Sequence, residues 1–244
     1  MALGDSSYIE GYSSNVAQNK VAGLTAETSD STIITAWNND KFSLAKGVGS
    51  HAEGQNNLAL GNNSHSEGHK TIAQGDNSHA EGQETVAKGQ GAHAEGISAI
   101  ATGNHSHAEG CSTESVGMYS YSSGEKTTSL GKNSHSEGES TNKVKDKVSG
   151  LSDSTADGTI INSWNSNKFS LAKGQSSHVE GKDNLALSNY SHAEGYQTQT
   201  SGLYSHAEGY QTTASGNYSH AEGYKNKATS NGSHAEGYNN TASG

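Results

Sequence analysis

The sequence has no proline and no arginine, and it has one cysteine, Cys111, among its 244 residues. A single cysteine excludes an intrachain disulfide framework and a cysteine-rich zinc site. Hydrophobic residues make up only 29% of the chain, against about 45–50% in ordinary globular domains. This shortage excludes an α/β enzyme with several buried strands and amphipathic helices. No apolar run approaches the roughly 18 residues of a membrane-spanning helix, and no signal-peptide pattern is present.

Positive charge is also scarce, and the net charge is −10. Binding to nucleic acid needs a basic stripe on the surface, so a nucleic-acid partner is excluded, and so is an anionic membrane. A composition of this kind is typical of disordered chains. The order of the residues contradicts disorder, because glycine and histidine recur at a fixed spacing.

A repeat of 14 residues organises the chain, and its marker is Ser-His-Ala-Glu-Gly. There are thirteen copies, of which the weakest, Ser-Tyr-Ile-Glu-Gly, is centred on Tyr8. The central residues of the copies are 8, 51, 65, 79, 93, 107, 121, 135, 178, 192, 206, 220 and 234. Two steps are 43 residues long and so contain insertions of 29 residues. A short period kept this strictly predicts a solenoid.

Each position of the repeat has its own chemistry. Glycine stands three residues after the central position in every copy, and a second glycine often follows seven residues later. Such glycines indicate sharp corners with positive φ or points of tight backbone approach. Between them, Ala, Ser and Thr alternate with larger residues at period two, which is typical of strands. We therefore expect two short strands per coil, a lumen lined by small residues, and coils paired about 4.8 Å apart.

Coils with the pattern Ser-x-Ala-x-Gly-x-x-Thr-x-Ala-x-Gly resemble the head repeats of the YadA-like trimeric autotransporter adhesins. The resemblance is close over 48–140 and 175–244 and loose over 1–14. It implies an all-β fold, a left-handed parallel β-roll (solenoid) of 14-residue coils, with three chains packed about a threefold axis as a homotrimer. The chain departs from the family's usual Ser-Val-Ala-Ile-Gly, because His replaces Val and Glu replaces Ile. The His-Ala-Glu-Gly arrays of this chain also resemble repeats of phage tail-fibre proteins.

The two insertions are copies of each other, offset by 127 residues, and each contains one tryptophan, Trp37 or Trp164. Their pattern of strand, Asn/Asp-rich turn and strand predicts two inserted β-hairpins. The predicted order is a first coil at 1–14, a hairpin at 15–47, seven repeats at 48–141, a hairpin at 142–174 and five repeats at 175–244. Each hairpin is either a small core that seals a coil or a lateral binding knob with exposed tryptophan. Because the chain ends with a repeat, we expect it to be a fragment of a longer protein.

Histidine and glutamate form a ladder, since eleven of the thirteen histidines are central residues and each has glutamate two residues later. Residues i and i+2 share one face of a strand. The intervening Ala points into the roll, so His and Glu point out of it. By the resemblance this face lies against the neighbouring chains, and we expect imidazole N–H groups to donate to carboxylates across chains and coils. The expected trimer-interface residues are His79, Glu81, His93, Glu95, His206 and Glu208.

A ring of three histidines about the threefold axis is the alternative, and it could hold a divalent metal. The candidate ligands are His51, His65, His79, His93, His107, His192, His206, His220 and His234. We expect no cofactor. A pair repeated eleven times offers no unique site and no activated nucleophile, so the chain is not expected to be an enzyme.

Tyrosines line two corners of the C-terminal repeats, where they either support coil packing or present a contact surface. The candidate receptor contacts are Trp37, Trp164, Tyr196, Tyr210, Tyr224 and Tyr238. The sequence predicts an extracellular structural and adhesive fibre segment on a cell surface or virion tail, bound to a host surface protein or glycan, with no membrane insertion of its own. The alternatives are a phage tail-fibre shaft or receptor-binding segment and a metal-binding histidine-ladder solenoid. An ice-binding solenoid is disfavoured because the regular threonines lie inside the coils.

Overall fold

The computed structural model describes all residues, Met1–Gly244. The chain divides into two compact units, Met1–Gly110 and Cys111–Gly244. Both units are parallel β-solenoids in which every coil contributes one strand to each of two sheets, so the predicted all-β solenoid of 14-residue coils is confirmed. Most strands of the first sheet have five residues, and those of the second have two.

In the first unit the longer strands form one parallel sheet and the two-residue strands form another. The longer strands are β1 (Tyr8–Tyr12), β3 (His51–Gln55), β5 (His65–His69), β7 (His79–Gln83), β9 (His93–Ile97) and β11 (His107–Cys111). The shorter strands are β2 (Leu44–Ala45), β4 (Leu58–Ala59), β6 (Ile72–Ala73), β8 (Val86–Ala87) and β10 (Ile100–Ala101). The helices are α1 (Ala17–Lys20) and α2 (Asp30–Asn39).

The second unit repeats this arrangement. Its longer-strand sheet contains β13 (Tyr121–Ser122), β15 (His135–Glu139), β17 (His178–Lys182), β19 (His192–Tyr196), β21 (His206–Tyr210), β23 (His220–Tyr224) and β25 (His234–Ala235). Its other sheet contains β12 (Glu114–Ser115), β14 (Thr128–Ser129), β16 (Leu171–Ala172), β18 (Leu185–Ala186), β20 (Gln199–Thr200), β22 (Thr213–Ala214), β24 (Lys227–Ala228) and β26 (Thr241–Ala242). Its helices are α3 (Val144–Lys147) and α4 (Asp157–Asn167).

Each coil pairs in register with the equivalent residues of the next coil, His51 opposite His65 and Gly54 opposite Gly68. The alternation of strand side chains places Ala52 and Ala80 inside the roll, where they are fully buried. Thr71 and Thr85 are buried there as well, as the sequence predicts. The core is therefore a thin column of methyl and hydroxyl groups held by backbone ladders.

The two glycines of each coil have different roles. Gly82 has φ of +104°, and a Cβ there would lie 2.2 Å from the carbonyl oxygen of Gly96 in the next coil. Gly75 has ordinary φ, yet a Cβ there would lie 2.1 Å from the oxygen of Gly89. The first glycine thus makes a positive-φ corner, and both glycines permit the close stacking of coils.

The positive-φ residues next to these two glycine positions are mostly not glycine, although Gly49 and Gly91 occupy one of these positions with φ of +64° and +60°. Asn63 and Asn77, two residues after the second glycine, have φ of 54° and 57°, and Lys70 and Glu84 have φ of 59° and 57° at the other corner. None of the corner residues with positive φ is β-branched, which agrees with the steric cost of a branched Cβ in this region. These corners were not predicted from the sequence, although the absence of Val, Ile and Thr at their positions is a usable signal.

The two insertions are helical, so the predicted β-hairpins are wrong. Helix α2 begins after Ser29, whose hydroxyl accepts a hydrogen bond from the backbone N–H of Thr32. Ile33 and Trp37 of this helix are buried at the i, i+4 spacing, and Ile160 and Trp164 of α4 repeat this pattern. The β-branched runs Thr-Ile-Ile favour strands locally, but the burial of one helical face outweighs that preference. The longest helix, α4, has 11 residues, and none of the four helices meets the length and hydropathy of a membrane span.

Each insertion packs its helix on the shorter strands of its own unit. In the first unit, Ile33 and Trp37 join Leu44, Leu58 and Ile72, which come from three successive coils. In the second unit the equivalent cluster contains Ile160, Trp164, Leu171 and Leu185. These clusters combine bulky apolar residues of the helices with those of the short strands beneath them.

Candidate functional site

The histidine and glutamate side chains occupy one face of the longer-strand sheet in each unit. On β7, His79 and Glu81 are partly exposed on either side of the buried Ala80. This is the face that the sequence predicts, and it recurs on every strand that carries the full marker.

The imidazole rings of successive coils stack directly on one another. In the first unit the ring centroids of His51, His65, His79 and His93 are 4.7–4.8 Å apart, with interplanar angles of 2–7°. The second unit has the same stacking, for example 4.6 Å and 0° between His178 and His192. Because the backbone register places each histidine over the last, the rings form a continuous column within each unit.

Each imidazole also approaches the glutamate of its own strand. The distance from Nε2 of His79 to a carboxylate oxygen of Glu81 is 3.5 Å, and from His93 to Glu95 it is 3.6 Å. His206 and Glu208 are 4.0 Å apart. Only His135 hydrogen-bonds its partner Glu137, at 3.1 Å. Within one chain the rings stack between coils and each faces the glutamate of its own strand, and the predicted donation to carboxylates across chains stays a prediction.

The Nε2 atoms of this column are buried although the side chains are only partly covered. They have no hydrogen-bond partner within the chain at His51, His65, His79, His93, His178, His192, His206 and His220. A buried polar atom without a partner costs about 1–3 kcal/mol.

Burial also disfavours the charged form of several imidazoles in these columns. Desolvation lowers the pKa of His65, His79 and His93, and the neighbouring histidine of the column lowers the pKa further. The strongest case is His192, where desolvation and the adjacent His178 and His206 lower the pKa from 6.5 to about 4. Nearby glutamates act against these shifts in the first three histidines. Near pH 7 these four histidines therefore present a lone pair and an N–H donor rather than positive charge.

The ladder also forms clusters of potential metal ligands. In the first unit, an Nε2 or Nδ1 atom of one histidine, a carboxylate oxygen of its glutamate and a nitrogen of the next histidine lie within 4.8 Å of one another. The clusters are His51–Glu53–His65, His65–Glu67–His79, His79–Glu81–His93 and His93–Glu95–His107. The second unit contains the cluster His178–Glu180–His192.

Tyrosines form two further columns in the second unit. Tyr196, Tyr210, Tyr224 and Tyr238 stack with centroids 4.9–5.1 Å apart. At the other corner, Tyr190, Tyr204 and Tyr218 stack at 4.9–5.4 Å and are 45–65% exposed. Stacking covers the ring faces, so the columns offer ring edges and hydroxyl groups to solvent.

The tryptophans named as candidate receptor contacts are buried. Trp37 and Trp164 are each 5% exposed. The indole N–H of Trp37 donates to the carbonyl of Asn56, and the ammonium group of Lys41 lies 3.4 Å from the indole ring centroid. This burial favours the small sealing core over the binding knob, and it corrects the naming of the two tryptophans as receptor contacts. Cys111 is exposed and has a free thiol.

Comparison with known families agrees with the roll. Residues 66–92 and 80–106 match the model of the YadA head domain repeat, in two copies. No curated protein matches the chain. YadA head repeats are structural repeats of trimeric, surface-exposed adhesins and are not an enzyme family. The chain thus carries YadA-like head repeats folded as a parallel β-solenoid.

Proposed function

We propose that this chain is a structural and adhesive fibre segment in which three copies pack through their histidine–glutamate faces and expose the tyrosine columns to a receptor. The observation that carries the proposal is the row of buried histidine Nε2 atoms without hydrogen-bond partners. His79 and His93 of this row lie in the coils that match the YadA head repeat. Bacterial surface attachment is the proposed context, because the matching repeat is an adhesin repeat.

Assembly through this face would give these Nε2 atoms hydrogen-bond partners and so remove the free-energy cost of leaving them unpaired. Neutral imidazole has one donor nitrogen and one acceptor nitrogen, and the glutamates beside it are partly exposed acceptors. A second chain brings carboxylates and N–H groups of the same spacing, because all coils share one register. Regular ladders of this kind can satisfy every buried polar group along the interface.

The receptor surface is proposed on the second unit. Tyr204 and Tyr218 are 49% and 65% exposed and stand side by side in one column. Tyrosine combines a rigid apolar ring with a hydrogen-bonding hydroxyl, which suits contact with a protein or a glycan.

The assembly is tested by mass in solution. Light scattering at micromolar concentration should give three times the 25.2 kDa chain mass, and a monomeric mass contradicts the proposal.

Variants of the histidine–glutamate face test its role in the assembly. In the resembling family the equivalent face is apolar, so the paired change His79→Val with Glu81→Ile should keep the trimer and maintain or raise its melting temperature. Replacing a buried polar set by apolar residues is often neutral or stabilising, by about 1–4 kcal/mol. Glu81→Ala alone should lower the melting temperature, because it removes the carboxylate that the imidazoles of the proposed interface would use as acceptor, at a cost of about 1–3 kcal/mol.

The adhesive role is tested with beads coated with the chain. The double change Tyr204→Ala with Tyr218→Ala should reduce adherence to receptor-bearing cells without changing the mass. Tyr12→Ala is the matched control, because Tyr12 is 64% exposed but lies outside these columns. Equal adherence of the double variant and the control contradicts a tyrosine contact surface.

A further inference from the structure

The histidine column of the first unit has the donor atoms of a metal site on every pair of adjacent coils. The column contains His51, His65, His79, His93 and His107, and four overlapping His–Glu–His clusters join them. All three ligands of a cluster come from one chain, so this arrangement does not require the trimer or a threefold axis.

We propose that the column binds divalent transition-metal ions such as Zn²⁺, each ion being held by two adjacent histidines and the glutamate of the first. Imidazole nitrogen with carboxylate oxygen is a ligand set suited to Zn²⁺, Ni²⁺ and Cu²⁺. The buried Nε2 atoms without partners are oriented for this purpose, because they lie toward the glutamate oxygens at 3.5–3.6 Å on β7 and β9.

The geometry allows binding only if adjacent rings lean together. Bonds of about 2.1 Å to one zinc ion place two ligand nitrogens at most about 4.2 Å apart, and the ligand atoms of a cluster lie within 4.8 Å of one another. A ring that leans toward one neighbour moves away from the other. The histidine and glutamate side chains of β7 and β9 are 34–42% exposed, so they are free to make this movement.

Each histidine can therefore serve one ion only, since Nε2 of a neutral imidazole has a single lone pair. Five histidines in a row then hold two ions and leave one histidine unused. The number of bound ions therefore depends on which histidine is substituted. Without His65 or His93, the second and fourth in the row, only one adjacent pair can form. Without His51, His79 or His107, two separate pairs remain.

The test is the number of Zn²⁺ ions bound per chain by the full-length protein, measured by isothermal titration and by elemental analysis after dialysis. His65→Gln should bind one ion fewer than the unmodified chain, and His79→Gln should bind the same number. His69→Gln is the matched control, because His69 lies on β5 outside the column. His93→Gln should also bind one ion fewer than the unmodified chain. The two variants are independent, so the number of bound ions can still be compared if one of them fails to fold.

Three outcomes overturn the proposal. The first is the absence of saturable Zn²⁺ binding by the unmodified chain. The second is an equal count in His65→Gln and in the control, which places the bound ions elsewhere. The third is an equal loss in His65→Gln and His79→Gln, which means that each histidine binds its own ion. The chain mass, measured in parallel with and without Zn²⁺, shows separately whether the proposed trimer fails.

Discussion

Replacing Gly82 by alanine should be among the most destabilising single changes in the first unit. The new Cβ would lie 2.2 Å from the carbonyl oxygen of Gly96, and Cβ atoms essentially never approach closer than 3.0 Å. The two coils must therefore separate locally by about 0.8 Å. The hydrogen bonds from Ser98 N to Gln83 O and from His79 N to Ala92 O, 2.8 and 2.9 Å long, then stretch to about 3.6–3.7 Å, where they no longer count as hydrogen bonds.

The expected loss follows from these two effects. Two broken backbone hydrogen bonds cost about 2 kcal/mol, and a residue other than glycine at φ of +104° adds about 1–3 kcal/mol of strain. The free energy of unfolding should therefore fall by about 3–5 kcal/mol, measured by urea denaturation followed by circular dichroism.

Three matched glycines separate the two effects. Gly75→Ala introduces only the steric contact and should cost about 1–3 kcal/mol, whereas Gly23→Ala introduces only strain at φ of +65° in open space, about 1–2 kcal/mol. Gly158→Ala lies in α4 with nothing near its Cβ and should stabilise by about 0.5–1 kcal/mol. The reasoning is refuted if Gly82→Ala costs no more than Gly23→Ala, because the contact with Gly96 would then carry no energy.

The remaining predictions concern burial and charge. Tryptophan fluorescence should be blue-shifted and poorly quenched by iodide, because Trp37 and Trp164 are 5% exposed; free quenching contradicts the sealing cores. Because the pKa of His192 is lowered from 6.5 to about 4, the folded chain binds fewer protons than the unfolded chain between these values. The free energy of unfolding should thus be highest above pH 6.5 and decline as the pH falls toward 4, and a flat profile in acid denaturation contradicts this. Asn57→Ala should lower the free energy of unfolding by about 3 kcal/mol, since the buried amide donates to the carbonyls of Glu53 and Gly68 and accepts from Thr71 N. Asn62 is exposed, and Asn62→Ala loses one hydrogen bond from Val48 N. This control should lower the free energy of unfolding by about 1 kcal/mol or less in the same denaturation assay.

The roll could be predicted from the sequence because each position is sampled thirteen times. A small residue such as Ala80 is uninformative alone, but the same residue type at the same phase of every coil defines the lumen. The ladder face followed in the same way, since the spacing of His79 and Glu81 fixes their common side of the strand.

The insertions and the ring column could not be predicted in this way. Each insertion has only two copies, so the local preference of Thr32, Ile33 and Ile34 for strands dominated, and the helical spacing of Ile33 and Trp37 went unused. The stacking of His65 on His79 depends on the side-chain rotamers as well as the register. For this reason no pattern in the sequence indicates that the imidazoles stack on each other between coils.

The hydrogen-bond ladders also determine how the first unit bears mechanical load. Backbone bonds such as Lys70 N to Gln55 O and Glu84 N to His69 O join one coil to the next, so a pull along the stacking direction stretches them lengthwise and opens one interface at a time. A released coil of 14 residues extends to at most about 50 Å. Each opening therefore dissipates mechanical energy over a long extension. The helix α2 bridges the strands at Leu44, Leu58 and Ile72, and those coils should therefore be the last of the unit to give way under tension.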